Sequence, residues 1–286
     1  MSFSNEISDK LLDIKPIPIF LPATHDTASA EAGVPAVSEK KWAYITMGTW
    51  CAVGTETKEP LINNEVFKTG YANIGAVEGR NIVTKNITGL WIIQQCMERW
   101  RKDQARKIEW SEIDEMYPKA KQFNTFIDID DPEFSFHSNN MPKLISSYCN
   151  KRNFNVPNSI SGISRCFYES LVMKFRLNLN ILEKVTSQKL YTIHLIGGGS
   201  KNKLLCQWVA DLTGKEVFAG PTETTSAGNL IMLLKGTGEI SSLKEGRQVI
   251  LNSSIVSKYE PRGKMKDIWE EQYSRYLKLF NFDLLH

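Results

Sequence analysis

The spacing of apolar and polar positions changes along this chain, and each change marks a predicted element. From Lys41 to Val83, apolar and polar residues alternate with glycines at the turns, which predicts β-strands. From Asn86 to Trp100, the apolar residues recur at intervals of three, four and seven, which predicts a helix. A long and mostly apolar helix is predicted from about Ile160 to Val185.

Strands and helices alternate in the last third of the chain. Strands are predicted at Tyr191–Ile196 and Lys215–Ala219, followed by helices at Asn202–Leu212 and Thr224–Leu234. This alternation favours parallel strands, because the chain crosses back over the sheet through each helix. An amphipathic helix over Lys266–Phe280 is expected to dock on the same body. The predicted fold class is α/β, a mixed sheet with helices on both faces.

Four shorter segments complete the predicted elements. Ile17–Leu21 predicts a short buried strand that leads into a run of small residues. Trp110–Tyr117 and Met141–Arg152 predict two short helices, the first ended or kinked by a proline. Phe126–Pro132 is predicted to form an exposed loop around a short extended piece.

Composition excludes several classes of function. With 286 residues, of which 42% are hydrophobic, the chain can bury the core of one large or two small domains. A net charge of +3, from 35 basic and 32 acidic residues, gives no reason to expect nucleic acid or a membrane surface as partner. The five cysteines form no CxxC pair, which favours free thiols and predicts no metal site. Because we find no signal peptide and no long apolar run, we expect a cytoplasmic protein.

Two glycine turns are candidates for binding a nucleotide. Gly197, Gly198 and Gly199 lie between a predicted strand and a predicted helix, where the backbone can approach a ligand closely. Their pattern is neither the dinucleotide fingerprint nor a P-loop, and a plain tight turn explains it equally well. Gly48 and Thr49 lie at a predicted hairpin tip, where backbone N–H groups and a hydroxyl suit phosphate oxygens, although an ordinary hairpin also explains them.

Polar residues near predicted helix starts are candidates for contacts with a second substrate. Asp26 follows the first predicted strand, where its carboxylate can either accept a hydroxyl proton or cap a helix. His25 beside it is a candidate substrate contact. Asn86 is predicted to cap its helix, and Gln94 interrupts the apolar segment that follows, so its amide needs a hydrogen-bond partner.

Five segments follow one another in an order that is typical of a known family. They are HDTASA at 25–30, GTW at 48–50, KNITGLW at 85–91, the three glycines with Asn202, and GPTE at 220–223. Together they resemble the second half of rhamnulokinases, which belong to the FGGY family of carbohydrate kinases. HDTASA and KNITGLW are the most specific of the five, and the resemblance extends from about Ile17 to Lys258.

The resemblance implies a fold and a domain organisation. The fold is one ribonuclease-H-like lobe of the kind found in actin-like ATPases. Residues 1–16 would be an N-terminal segment, and residues 17–286 would form the C-terminal, nucleotide-binding lobe of an FGGY kinase.

The resemblance also implies a reaction, in which the γ-phosphoryl group of MgATP passes to a hydroxyl of a ketose such as L-rhamnulose. Asp26 would accept the hydroxyl proton. The implied contacts form two sets, with the sugar at His25, Thr27 and Asn86, and with the nucleotide at Gly48, Thr49, Gln94, Gly197, Gly198, Gly199 and Asn202.

Two departures from the family pattern leave its implications open. Where the family usually shows Asn-Glu-Gly-Gly, this chain has Asn73-Ile74-Gly75-Ala76 with Glu78 nearby, so fuculokinase or xylulokinase specificity stays an alternative. The family's first lobe, with its phosphate loop and its carboxylates near Mg²⁺, has no counterpart in residues 1–16. We therefore expect this chain alone to be a poor kinase, with that lobe or a second copy of itself as a partner.

Two functions outside catalysis are also compatible with the sequence. The chain could be a non-catalytic nucleotide-binding or assembly module, because the surface that a first lobe would cover tends to bind partners when it is exposed. It could equally be a gene fragment without a function of its own.

Overall fold

Seven strands form the centre of the molecule in the computed structural model, which describes residues 18–282. They are β1 Trp42–Met47, β2 Trp50–Thr57, β3 Ala72–Gly75, β4 Asn81–Thr88, β5 Thr192–Ile196, β6 Glu216–Ala219 and β7 Ser257–Tyr259. They make one sheet in the order β3-β4-β2-β1-β5-β6-β7.

The sheet is mixed, as the sequence predicts. Strands β1 and β2 form an antiparallel hairpin, and β4 pairs antiparallel with both β2 and β3. Strands β1, β5 and β6 are parallel, and β7 closes the far edge antiparallel to β6. Because parallel strands end at the same edge, the turns that follow Met47, Ile196 and Ala219 lie side by side.

Ten helices pack around this sheet within residues 18–282. They are α1 Asp26–Ala32, α2 Asn64–Thr69, α3 Trp91–Gln104, α4 Trp110–Met116, α5 Met141–Lys151, α6 Ile160–Thr186, α7 Lys203–Thr213, α8 Thr224–Thr237, α9 Leu243–Ser253 and α10 Lys266–Leu279. Polar residues begin several of them: the side chain of Ser159, for example, accepts a hydrogen bond from the Gly162 amide at the start of α6. None of these helices combines the length and the apolarity that crossing a membrane requires.

Side chains alternate along the strands and so divide the core into two parts. Ala43 and Ile45 of β1 face the larger part, which contains buried residues of α3, α5, α6, α7 and α10. Trp42 and Tyr44 face the opposite side, where α1 packs, with α8 and α9 beyond it. The prediction of helices on both faces is confirmed. We call the side covered by α1 the α1 face.

Helices α1 and α8 approach each other very closely because Gly33, the residue that directly follows α1, and Gly228 of α8 lie where they meet. A Cβ atom on Gly228 would lie 1.8 Å from the backbone oxygen of Ser29, and one on Gly33 would lie 2.2 Å from that of Thr224. No side chain larger than hydrogen fits at either position without moving a helix. This contact fixes α1, and with it the segment around Asp26, against α8.

Two predictions about apolar segments are wrong. Ile17 lies outside the described residues, but residues 18–23 form no strand, and the side chains of Ile19 and Leu21 are 70% and 69% exposed. Phe126, Ile127 and Ile129 are fully buried, so their segment is not an exposed loop. A buried backbone amide needs a hydrogen-bond partner. The Ile127 amide has one, because it donates to the Ser170 hydroxyl of α6 at 2.9 Å.

The predicted helix from Asn86 to Trp100 is also wrong in its first part. Strand β4 continues to Thr88, and α3 begins only at Trp91. The chain turns sharply at Gly89, where a Cβ atom would lie 2.6 Å from the backbone oxygen of Gly48. Helices α2 and α9 and strand β7 were not predicted, and α2 lies inside the stretch assigned to strands.

Candidate active site

The segment His25–Thr27 forms the start of α1. His25, rather than Asp26, is the N-cap residue, and its Nδ1 accepts a hydrogen bond from the Thr27 amide at 3.2 Å. Asp26 occupies the first helical position, and its Oδ1 accepts from the same amide at 2.6 Å. The Asp26 side chain is 83% exposed. The carboxylate is therefore oriented by its own helix and open to a ligand.

A small recess of about 220 Å³ lies beside His25, between the start of α1 and the turn after β3. Glu78 lines this recess, but its carboxylate pairs with Lys235 and, at 3.7 Å, with Arg80. Although partial burial opposes ionisation, the hydrogen bond and charge of Lys235 hold the pKa of Glu78 below its usual value. The carboxylate of Glu78 is thus already paired with two cations, Lys235 and Arg80.

Asn86 lies in strand β4, opposite Ala52 of β2, and not at a helix start. Its side chain shares a face with Ile82, four residues earlier, which packs in the core under α1. Trp50 lies on the same face, because it is two residues before Ala52. Trp50 is 61% exposed. Trp50 belongs to the GTW segment at 48–50, but it is not among the contacts that the resemblance implies.

The turn at Gly48–Thr49 docks on the start of α3. The amides of Leu90 and Trp91 donate to the backbone oxygens of Gly48 and Thr49 at 2.8 and 3.1 Å. The hydroxyl of Thr49 donates to Oε1 of Gln94 at 3.2 Å. Gln94 therefore has the partner that its position requires, and it lies directly against the turn.

The glycine loop Gly197–Gly199 packs against the same turn. Gly197 has a φ of +85°, a left-handed conformation that favours glycine. A Cβ atom on Gly199 would lie 2.7 Å from Cβ of Met47 and 3.3 Å from a methyl carbon of Leu90. Gly198 is exposed, and a Cβ atom there would meet nothing within 4 Å. The loop thus presents open backbone beside the Gly48–Thr49 turn.

Asn202 has a structural role in the helix after this loop. Its Oδ1 accepts from the Leu205 amide and from the Tyr117 hydroxyl, both at 2.9 Å, and its Nδ2 donates to Oδ1 of Asp114 at 2.9 Å. Burial raises the pKa of Asp114 to about 6. Asn202 thereby caps α7 and ties it to α4.

A groove of about 700 Å³ opens next to the glycine loop. This volume is within the range of sites that hold small molecules. The sequence placed a glycine turn at 220–223, but it did not identify the other walls of the groove. The groove is lined by Ser200, Lys201, Lys203, Ala219, Gly220, Pro221, Thr222, Glu223, Ser226, Ala227, Leu230, Ser254, Ile255, Ser257 and Tyr259.

Apart from Asn202, whose side chain is taken up by Leu205, Tyr117 and Asp114, the predicted site residues form two groups. Gly48, Thr49, Gln94 and the Gly197–Gly199 loop meet at one edge of the sheet, while His25, Asp26, Thr27 and Asn86 lie on the α1 face. Between residues 18 and 282, no hydrogen bond joins the two groups. The same range contains no cluster of three acidic, histidine or cysteine side chains that could hold a metal ion.

Comparisons with known proteins agree with this arrangement. The model of the FGGY family of carbohydrate kinases, C-terminal domain, matches residues 43–235. The rhamnulokinase of Bacillus subtilis (strain 168) is 34% identical over 250 residues, which cover 87% of this chain and 50% of that relative. The chain thus spans about half the length of the curated relatives it matches.

Solved structures show the same fold. The gluconate kinase from Lactobacillus acidophilus superposes with a TM-score of 0.68 at 14% identity, covering 98% of this chain and 55% of its own. The glycerol kinase of Plasmodium falciparum, solved with ADP, superposes with a TM-score of 0.61 at 14% identity, covering 88% of this chain and 49% of its own. These similarities confirm the predicted actin-like ATPase fold. The chain belongs to the FGGY family of carbohydrate kinases, and residues 43–235 match the C-terminal domain of that family.

Proposed function

We propose that this chain provides the nucleotide-binding and proton-accepting half of an ATP-dependent ketose kinase of the rhamnulokinase type. The observation that carries the proposal is the meeting of three segments, Gly48–Thr49, Gln94 and Gly197–Gly199, beside a groove of suitable size. Membership of the FGGY family supports the reaction class, and the rhamnulokinase relatives support the sugar.

The nucleotide would lie along the edge where β1, β5 and β6 end. Exposed backbone at Gly198 can approach a ligand closely, and the groove beyond it would take the adenosine. The Gly48 amide already donates to the backbone oxygen of Trp50, so the Thr49 amide and hydroxyl are the groups of this turn that would meet the phosphate oxygens. The hydroxyl would then turn from Gln94 to the phosphate. Mg²⁺ would be bound mainly by those phosphates, since this ion keeps several waters and needs few protein ligands.

Asp26 would act at the sugar hydroxyl. In phosphoryl transfer to an alcohol, a carboxylate accepts the hydroxyl proton while the oxygen bonds to phosphorus and the bond from phosphorus to ADP breaks. The Asp26 carboxylate is exposed and held by the Thr27 amide, so it can meet a substrate without rearrangement of α1. Most of the rate in this chemistry comes from positioning, which makes a fixed carboxylate useful.

The sugar would contact His25, Thr27 and Asn86 on the α1 face. L-rhamnulose is the proposed substrate, with L-fuculose and D-xylulose as alternatives. Glu78 is a poor substitute for the acid that the family usually carries nearby, because Lys235 and Arg80 already neutralise it. Since the chain spans half of its relatives, we propose that full activity needs a second lobe, and that this chain alone turns over slowly at most.

Two assays on the purified chain test the proposal. Calorimetric titration with MgATP should show binding that Thr49→Val weakens, because valine keeps the shape but loses the hydroxyl. Thr69→Val, in α2, is the matched control and should bind as the wild type does. A coupled assay with the three ketoses should show at most a slow, ATP-dependent reaction that Asp26→Asn abolishes.

Three results would count against the proposal. Absence of MgATP binding would leave the fold without the proposed activity and would favour an assembly role. Equal affinities for the Thr49 and Thr69 variants would remove the turn from the nucleotide site. Turnover by this chain alone at an ordinary enzyme's rate would contradict the need for a second lobe.

A further inference from the structure

The three parts of the proposed nucleotide site rest on one short segment, Thr88–Leu90, where β4 ends and α3 is about to begin. The Leu90 amide holds the backbone oxygen of Gly48 at 2.8 Å, and the side chain of Leu90 lies under Gly199. A Cβ atom on Gly89 would lie 2.6 Å from the backbone oxygen of Gly48 and 2.8 Å from the amide nitrogen of Cys51, so the segment is packed closely against the turn. A displacement of this segment would move the turn and the glycine loop together.

Asp130 holds this segment from the other side. Its Oδ1 accepts a hydrogen bond from the Thr88 amide at 2.7 Å. This bond links two parts of the chain that are 42 residues apart. The amide lies at the last residue of β4, so the carboxylate fixes the point where the chain leaves the sheet.

The Asp130 carboxylate is itself held in place. Lys174 of α6, whose side chain is 6% exposed, lies 3.3 Å from Oδ2 of Asp130 and 2.5 Å from Oδ1 of Asp128. Ile129 between the two acids is fully buried, which anchors the backbone that carries them. Lys85 of β4 is a second cation beside the acids, and burial lowers the pKa of its ammonium group. Both acids thus pair with Lys174, but only Asp130 accepts a hydrogen bond from the Thr88 amide.

We propose that Asp130 is a positioning residue for nucleotide binding. Its polar partners are the Thr88 amide, Lys174 and Asp128, none of them a proposed nucleotide contact. It acts through the Thr88–Leu90 segment on the Gly48–Thr49 turn and on Gly199. The inference rests on the proposed function, because it assumes that these parts bind a nucleotide.

Two substitutions at this position separate the hydrogen bond from the charge. Asp130→Asn keeps an oxygen that can accept from the Thr88 amide but loses the charge. Asp130→Glu keeps the charge near Lys174 but moves the carboxylate away from Thr88. If Asp130 positions the segment, the Asp130→Asn variant should keep the wild-type affinity for MgATP. The Asp130→Glu variant should bind MgATP about tenfold more weakly. If Asp130 served only to balance the charge of Lys174, Asp130→Asn would weaken MgATP binding and Asp130→Glu would not.

Asp128→Asn is the matched control. It removes the other charge that pairs with Lys174 and leaves the contact with Thr88 intact. Oδ1 of Asp128 also accepts from the Asp130 amide at 3.1 Å, and the Asn oxygen can keep that bond. Titration calorimetry on the folded chain should give this variant the wild-type affinity for MgATP. Hydrogen exchange without nucleotide should be faster at Thr88, Leu90 and Trp91 in Asp130→Glu than in either Asn variant.

The two readouts keep the inference separate from the proposed function. If the wild type does not bind MgATP, the proposed function fails, and the exchange data then decide whether Asp130 fixes the segment. If the wild type binds and the Glu variant binds equally well, the inference is overturned. It is also overturned if Asp128→Asn weakens binding as much as Asp130→Glu does, or if exchange at the three amides is the same in all variants.

Discussion

His194 is a buried histidine that the fold keeps neutral. Its ring stacks on Phe218 at 5.3 Å and meets the edge of Trp42 at 5.6 Å. Burial, with a smaller contribution from the charge of Arg247, lowers the pKa of His194 to about 3. The unfolded chain binds this proton near its ordinary pKa of about 6.5, so the unfolded state gains protons before the folded state does.

We predict a specific pH dependence from this residue. Its contribution to stability is fully present above about pH 6.5 and is lost as the pH falls towards 3, at up to about 1.4 kcal/mol per pH unit. Urea unfolding of His194→Asn between pH 7 and pH 4 should show a shallower decline than the wild type. A variant with the same slope as the wild type would show that His194 does not supply this dependence.

Arg247 provides a second test at the scale of single residues. Its guanidinium lies 2.5 Å from the Glu31 carboxylate and 2.9 Å from that of Glu56, and it also donates to the backbone oxygens of Glu31 and Ala32. Burial raises the pKa of Glu31 well above its usual value. Although burial also opposes ionisation of Glu56, a hydrogen bond from Glu31 and the charge of Arg247 lower its pKa to about 2.

Arg247→Met should lower the free energy of unfolding by about 3–5 kcal/mol, because it leaves the fully buried Glu31 without its cation, while Glu56 keeps its pair with Arg80. The measurement is urea denaturation near neutral pH. Lys244→Met is the control, because Lys244 lies in the same helix as Arg247 but forms an exposed ion pair, with Glu39. Its loss should have no measurable effect on the free energy of unfolding. A similar loss of unfolding free energy in both variants would mean that the buried ion pairs of Arg247 stabilise the fold no more than an exposed pair does.

Sequence reasoning identified candidate residues better than it identified their contacts. HDTASA drew attention to Asp26, but only the structure shows that His25 is the residue that caps α1. Gln94 required a partner, and that partner is Thr49, which is 45 residues away. The pairing of Glu78 with Lys235 spans 157 residues. Such contacts depend on the tertiary fold, which local spacing does not contain.

The crossing of α1 and α8 is the most sensitive contact between two elements. Gly228→Ala places a methyl group where the Ser29 backbone oxygen lies, and backbone cannot move as a side chain can. We expect a loss of about 3 kcal/mol in the free energy of unfolding. Gly263→Ala is the control, because a Cβ atom there would meet nothing within 4 Å. Equal stability of the two variants would contradict the close packing of these helices.

Elements with a strong and isolated period were predicted well. The helix from Ile160 and the two strand–helix units after residue 190 appear within a few residues of their predicted bounds. The segment around Asn86 failed because Ile87 belongs to a strand and Leu90 to the following turn, yet their spacing fits a helix. The burial of Phe126–Ile129 was unpredictable from local pattern, since it depends on the Ser170 hydroxyl of a distant helix.

At the scale of the whole molecule, the sequence predicted the class of the fold and the resemblance predicted its topology. Alternation of strands and helices indicated parallel strands, and β1, β5 and β6 are parallel. The order of strands, with β1 beside β5, pairs segments about 150 residues apart and could not be read from spacing. The groove beside the glycine loop arises from this order, because it places the ends of β5 and β6 next to each other.

We propose that nucleotide binds at the edge of the sheet where β1, β5 and β6 end. The decisive measurement is hydrogen exchange of the purified chain with and without millimolar MgATP. We predict slower exchange at Gly48–Thr49, at Gly197–Ser200 and at Gly220–Ser226, and unchanged exchange in α10. Unchanged exchange at all three segments, or protection confined to another surface, would contradict the claim.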